Sequence, residues 1–150
     1  MLVSEVMTHD PVCCLRTTGI RAAAALLRQF DIGLLPVIDD WETRRLIGVV
    51  TDRDICLLAV REEYDPTVTK VGDCMATEVL TCAPDLDIRG ALVVMMKHRV
   101  RRLPVVDEDD RLQGILGISD LIRRDAADPR DIWLALRRIT ERKEGSAKAA

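Results

Sequence analysis

A chain of 150 residues with 48% apolar and 31% charged side chains has enough apolar matter for one ordinary core or two very small ones. Its net charge of −3 gives no general pull toward nucleic acid or anionic lipid, and Phe30, Trp41, Tyr64 and Trp133 are too few aromatics to stack the bases of a single strand. No apolar run approaches the roughly 20 residues of a membrane-spanning helix, and residues 1–10 lack the basic start and apolar stretch of a secretory leader, so a cytoplasmic protein with no membrane and no nucleic-acid partner is expected.

The elements follow from the periods of the apolar residues. Residues 12–15 read as a short strand. Residues 20–30 put Ile20, Ala23, Ala24 and Leu27 on one side, which is helical spacing. Residues 35–38 form an apolar strand with Pro36 near its start, which predicts an edge or early position. Asp39-Asp40 is a polar turn, and residues 46–50 return to close a hairpin. A second helix is expected over 55–60, and Asp65-Pro66-Thr67 punctuates the chain. The order then recurs, with a strand at 79–82, a helix over 88–98, strands at 103–106 and 112–116 around the turn 107–110, and a helix beginning at 121–123. Asp128-Pro129 reads as a cap and first helical residue. The helix behind it, expected over 128–144, carries Ile132, Trp133, Leu136 and Ile139 on one face, and residues 145–150 are expected to be a frayed, flexible tail.

The recurrence is a repeat of residues as well as of elements. Shifted by 68, the pairs Val3/Val71, Met7/Met75, Cys14/Cys82, Ile20/Ile88, Arg21/Arg89, Ala23/Ala91 and Asp39/Asp107 are identical, as is Leu-Pro-Val at 35–37 and 103–105. Two extra residues near Trp41–Arg44 reduce the shift to 66, which aligns Arg45-Leu46 with Arg111-Leu112, Gly48 with Gly114 and Asp54 with Asp120. The fold class is therefore α+β: two tandem β-α-β-β-α repeats over 3–64 and 71–125, plus a C-terminal helix. About 60 residues is marginal for an isolated domain, so the two copies are expected to share a core around a pseudo-twofold axis.

The motifs Leu-Pro-Val-Ile-Asp (35–39), Leu-Pro-Val-Val-Asp (103–107), Gly-Val-Val-Thr-Asp-Arg-Asp-Ile (48–55) and Gly-Ile-Leu-Gly-Ile-Ser-Asp-Leu (114–121) resemble those of the CBS domain family. Val6-Met7-Thr8 and Cys74-Met75-Ala76 also resemble the segments that open such domains, so the resemblance covers residues 3–125. It implies a paired, or Bateman, module of the stand-alone type that assembles as a homodimer. It also implies clefts between the repeats that bind AMP, ADP, ATP or S-adenosylmethionine, with no cofactor required. One cleft would take Asp54 on the ribose, Thr51 on ribose or phosphate, and Val79, Leu80 and Thr81 on the base. The other would take Asp120 on the ribose, Ser119 as a hydroxyl, Arg101 and Arg102 on phosphate, and Thr8, Pro11, Val12 and Cys13 on the base.

Chemistry allows these roles. A carboxylate accepts two vicinal hydroxyls, a helix N-terminus offers free N–H groups to a phosphate, and arginine grips phosphate oxygens in pairs. Thr51-x-x-Asp54 is equally a capping box that the helix needs with or without a ligand, and Ser119 is a candidate cap in the second copy. Gly117 stands where the first copy has Thr51, and Gly33-Leu34 where the second has Arg101-Arg102. Arginine is expected to outweigh one hydroxyl, which makes the Asp120 cleft the stronger site.

Arg101, Arg102, Arg123, Arg124, Arg137 and Arg138 are interleaved with acids and read as solvated faces. The five cysteines have no Cys-x-x-Cys spacing and read as reduced, mostly buried thiols rather than a metal site. No catalytic motif is present, so a regulatory module acting on an unknown partner is expected rather than an enzyme; the other reading is a ligand-independent, stress-related dimeric interaction protein. Exposed apolar helix faces carrying Ile55, Leu58, Ala59, Trp133, Leu136 and Ile139 are the expected interface.

Overall fold

The structure, a computed structural model, describes residues 1–61 and 64–141; the expected end of the last helix (142–144) and the tail (145–150) lie outside the described residues. The chain divides into two compact units, each holding one three-stranded sheet.

One unit contains residues 10–81 and 106–113. Its sheet has the order β2 (Cys14–Leu15), β3 (Leu34–Ile38), β4 (Leu46–Thr51). β2 runs parallel to β3 with Cys14 opposite Val37, and β3 runs antiparallel to β4 with Leu35 opposite Val50. Helix α2 (Ile20–Gln29) buries Ile20, Ala23 and Leu27 of the stripe that the helical period predicts, and leaves its fourth member, Ala24, exposed. These residues join Leu35, Val37, Val50, Leu58 and Val71 in the core, with Leu58 supplied by α3 (Asp52–Ala59). α2 stops where Asp31 turns left-handed at φ 51°, a conformation that aspartate tolerates better than most residues.

The other unit contains, among the described residues, 1–9, 82–105 and 114–141. Its sheet has the order β1 (Thr8–His9), β6 (Leu112–Gly117), β5 (Arg102–Val106). Helix α4 (Ile88–His98) starts at Asp87, whose side chain accepts the Arg89 N–H at 2.9 Å, and ends at Arg99 in the left-handed region. Helices α5 (Ile118–Arg123) and α6 (Pro129–Thr140) pack on one another, and α6 also packs on α4. Asp128 caps α6 by accepting the Arg130 N–H at 2.8 Å, with Pro129 in its first turn as expected.

The opening segment of each repeat is built into the unit that holds the other repeat's sheet. α1 (Val3–Val6) enters the second unit described, where Val3 N–H donates to Leu86 O at 2.9 Å and Ser4 N–H to Pro84 O at 2.8 Å. The single 3-10 turn Val71–Asp73 does the same in the first, where Val71 N–H donates to Thr18 O and Gly72 N–H to Arg16 O, both at 2.9 Å. These four bonds join positions that correspond under the repeat.

Three expectations need correction. The strand expected at 79–82 is reduced to one parallel bridge between Cys82 and Val105, and Pro84, two residues on, has no N–H to extend the ladder beyond it. The strand expected at 12–15 pairs only at Cys14 and Leu15. Pro36 lies inside the central strand β3 rather than at an edge. It is tolerated because its partner Val49 turns its own N–H away to Ala76 O, at 2.9 Å, so the Pro36/Val49 pair is one without ladder bonds.

Candidate functional site

In the first copy, β4 delivers Thr51 to the N-terminus of α3. Asp54 Oδ2 accepts the Thr51 N–H at 2.9 Å and the Thr51 hydroxyl at 2.6 Å, while Thr51 Oγ1 accepts the Asp54 N–H at 3.2 Å. This is the capping box read from the sequence, and it leaves half-buried Asp54 with Oδ1 accepting from no donor among the described residues. Val79, Leu80 and Thr81 are half-buried in the same unit, following Ala76, which exchanges two backbone bonds with Val49. The Cys74 thiol is pushed up by burial and then by the Asp54 carboxylate, so it lies within that charge's electrostatic reach.

In the second copy, Gly117 stands before α5 and Asp120 Oδ2 accepts its N–H at 2.7 Å. Asp120 is buried, and its Oδ1 is held by the Arg123 guanidinium, one turn along the helix. Arg101 O accepts the Ile118 N–H at 3.1 Å, which sets the arginine pair beside the start of α5. A Cβ on Gly117 would stand 3.2 Å from Ser119 Oγ and 3.7 Å from Arg102 Cγ, so Gly117, Ser119, Asp120 and Arg102 are brought together. Ser119 is not the cap expected for this helix, because α5 begins at Ile118 and places Ser119 inside the first turn. Thr8 belongs to the same unit and pairs with Ile115 on the sheet. Pro11, Val12 and Cys13 belong to the other unit, where Cys13 packs with Ile38 and Leu112, and Val12 packs against the α2 core.

Arg123 is the functional candidate that sequence reasoning missed. Its pattern in the sequence groups it with the solvated arginines, yet the shift of 66 that aligns Asp54 with Asp120 also aligns Arg123 with Leu57. A charged residue three positions beyond the carboxylate, present in one copy alone, was the available signal.

The helix faces named as the interface are also revised. Leu58 is buried, and Ile55, Leu136 and Ile139 are half-buried. Ala59 and Trp133 are exposed as expected, and Leu57, Val60, Ile122 and Leu134 are further exposed apolar residues on or beside α3, α5 and α6. Cys13, Cys14 and Cys82 are buried, Cys74 half-buried and Cys56 exposed, all as free thiols.

The chain belongs to the CBS domain family: that family's model matches residues 3–60 and 71–127, one copy each. It is 34% identical over 119 residues to Hypoxic response protein 1 of Mycobacterium tuberculosis, covering 79% of this chain and 81% of that protein. The crystal structure of Hypoxic Response Protein I with two coordinated zinc ions covers 82% of this chain and 98% of its own, with TM-score 0.72 and 32% identity. Among the described residues here, no three His, Cys, Asp or Glu are grouped to hold a metal. The CBS domain pair of MJ0100 in complex with 5′-methylthioadenosine and S-adenosyl-L-methionine is similar at TM-score 0.71 and 26% identity, over 83% of this chain and 95% of that one. CBSX2 in complex with AMP, from Arabidopsis thaliana, is similar at TM-score 0.71 and 31% identity, again over 83% and 95%.

Proposed function

We propose that this chain is a cytoplasmic, non-catalytic regulatory module that senses AMP, ADP, ATP or S-adenosylmethionine through Asp54 and Asp120, and passes the signal to a partner protein as a homodimer. The observation that carries this reading is the pair of corresponding carboxylates, each fixed at the start of a helix by the backbone N–H three residues before it, at 2.9 Å and 2.7 Å. Such carboxylates are oriented acceptors, suited to hold vicinal hydroxyls rather than to shuttle a proton. The adenosyl ligands named for the related MJ0100 and CBSX2 structures support the choice of ligand class. Thr51 supports Asp54 directly, and Arg101, Arg102 and Ser119 supply donors near Asp120. Thr8 for Asp120, and Val79, Leu80 and Thr81 for Asp54, complete the proposed base contacts, each within one unit.

Calorimetric titration with AMP, ADP, ATP, S-adenosylmethionine and NAD tests the reading. Asp54→Asn keeps the shape of the side chain and is expected to weaken binding about tenfold or more, one charge-assisted hydrogen bond's worth. A thermal melt of the variant separates lost ligand from a lost cap. Folded protein that binds none of these ligands at millimolar concentration sinks the sensor.

The second reading, a ligand-independent dimeric interaction protein, is favoured by a groove of about 410 Å³ between α2 and α3, lined by Ala24, Leu27, Ile32, Ile55 and Ala59. Sedimentation with and without nucleotide distinguishes them: a dimer indifferent to every ligand favours interaction alone, and a monomer at micromolar concentration removes the dimer from both.

A further inference from the structure

The two carboxylates correspond in the repeat but are not equivalent in their surroundings. Among the described residues nothing donates to the second oxygen of Asp54, and the residue three positions on is Leu57, exposed and unable to bond it. Asp120 has both oxygens engaged, Oδ2 by the Gly117 N–H and Oδ1 by Arg123. The burial of the ion pair is one-sided: the Asp120 side chain is 9% exposed and that of Arg123 is 70% exposed. The carboxylate is fixed, while the guanidinium reaches it from solvent on a long flexible stem and has room to leave.

Removing Arg123 from Asp120 without replacement strips a buried carboxylate of its counter-charge, which is costly. A ligand that offers only hydroxyls gives the carboxylate new donors but leaves the guanidinium without an anion. A ligand that also carries a phosphate satisfies both, because arginine pairs with phosphate as readily as with carboxylate. Arg102, whose stem lies beside Gly117, adds a second cation on the same side of Asp120.

We propose that Arg123 is a latch on Asp120 that makes this site selective for phosphate-bearing adenosyl ligands, while the unlatched Asp54 site accepts an adenosyl group with or without phosphate. The inference rests on the sensor reading above. It reverses the order expected from arginine count alone: Asp54 is the site that fills first, and Asp120 fills when a phosphate releases Arg123. Arg123 has two roles in this proposal: without ligand it is the counter-ion that closes Asp120, and once released it pairs with the ligand's phosphate.

The decisive variant is Arg123→Leu, which installs the side chain that the first copy carries at Leu57. It is read by calorimetry with adenosine and AMP in full-length protein bearing Asp54→Asn, so that the Asp120 site dominates the signal. With Arg123 in place, AMP is expected to bind and adenosine to bind at least about tenfold more weakly, the factor for one unreplaced charged hydrogen bond. Adding Arg123→Leu is expected to raise adenosine affinity by about the same factor and to narrow the gap between the two ligands. A role of Arg123 in stability alone moves both affinities together and leaves their ratio unchanged, which overturns the latch. So does a fall in adenosine affinity in Arg123→Leu. If wild-type protein binds these ligands and Arg123→Leu leaves adenosine affinity and selectivity as they were, only the latch is lost. If neither wild-type protein nor Arg123→Leu binds adenosine or AMP, the sensor reading fails and the latch falls with it.

Discussion

A methyl group on Gly114 would stand 2.5 Å from Met7 Sδ and 2.8 Å from the Thr8 carbonyl oxygen; on Gly48 it would stand 2.8 Å from Ala76 O and 3.2 Å from Met75 Sδ. Both glycines and both methionines are identical across the repeat, and the contact explains why: each glycine makes room for the other copy's methionine. Gly48→Ala and Gly114→Ala are therefore expected to destabilise the fold by about 1–3 kcal/mol each, the usual cost of overpacking. Gly19→Ala, with nothing within 4 Å of the new methyl, is the control and is expected to change stability by about 0.5 kcal/mol or less. Thermal denaturation of the three variants checks the ranking. The thiols give a second test. Burial pushes the Cys14 thiol up to about 12 and the Cys82 thiol up to about 11, from an ordinary value of 9.0. Above that ordinary value the unfolded chain releases protons that the folded chain keeps, so stability falls as pH rises from about 9 toward 11, at up to about 1.4 kcal/mol per pH unit per thiol. Denaturant titrations across that range should show the decline, and Cys14→Ala should flatten it. At neutral pH a maleimide should label exposed Cys56 first, with Cys13, Cys14 and Cys82 reacting only on unfolding.

At the scale of elements, the helices were legible because each buries a stripe set by its own sequence. The expected span 88–98 matches α4, and Asp128-Pro129 opens α6 as read. The hairpin strands were as legible, since 35–38, 46–50, 103–106 and 112–116 match β3, β4, β5 and β6 to within one residue at each end; the shortest strands were not. β1 and β2 are two residues each, too short for alternation to register, and they exist because a neighbouring strand accepts them. The start of α5 was misjudged for a related reason: serine is a common cap, but alignment with Thr51 puts the cap at Gly117, which has no side chain to offer. The two helix starts are therefore expected to respond differently. Thr51→Ala should cost about 1 kcal/mol by removing a made cap, and Ser119→Ala, which removes none, should cost close to nothing. Urea denaturation of both variants decides this. The asymmetry at the carboxylates had the same origin: the repeat made Asp54 and Asp120 visible, but only the fold of the last turn shows Arg123 folding back onto one of them.

At the scale of the whole molecule, the repeat revealed that there are two copies but not which parts of each copy go together. Met7 would satisfy Gly48 as well as it satisfies Gly114, because the corresponding residues are the same in both copies, so no residue type distinguishes a self-contained repeat from an exchange of opening segments. The structure resolves it in favour of exchange, with residues 1–9 in one unit and 71–81 in the other. The exchange has a consequence for the order in which the chain becomes structured during synthesis. Val3 and Ser4, synthesised well before their partners, bond to Leu86 and Pro84, and Thr8 pairs with Ile115. The opening segment must therefore wait for most of the chain before it has anything to bind, and such long-range closures are slow. Its partner segment at 71–76 has no such wait, since Thr18, Arg16 and Val49 have already been made. The unit built around the first repeat's sheet should therefore consolidate first. Deleting residues 1–9 should leave that unit's amides protected in hydrogen exchange while those of α4 and β5 lose protection, and equal loss in both would show that the two units fold as one.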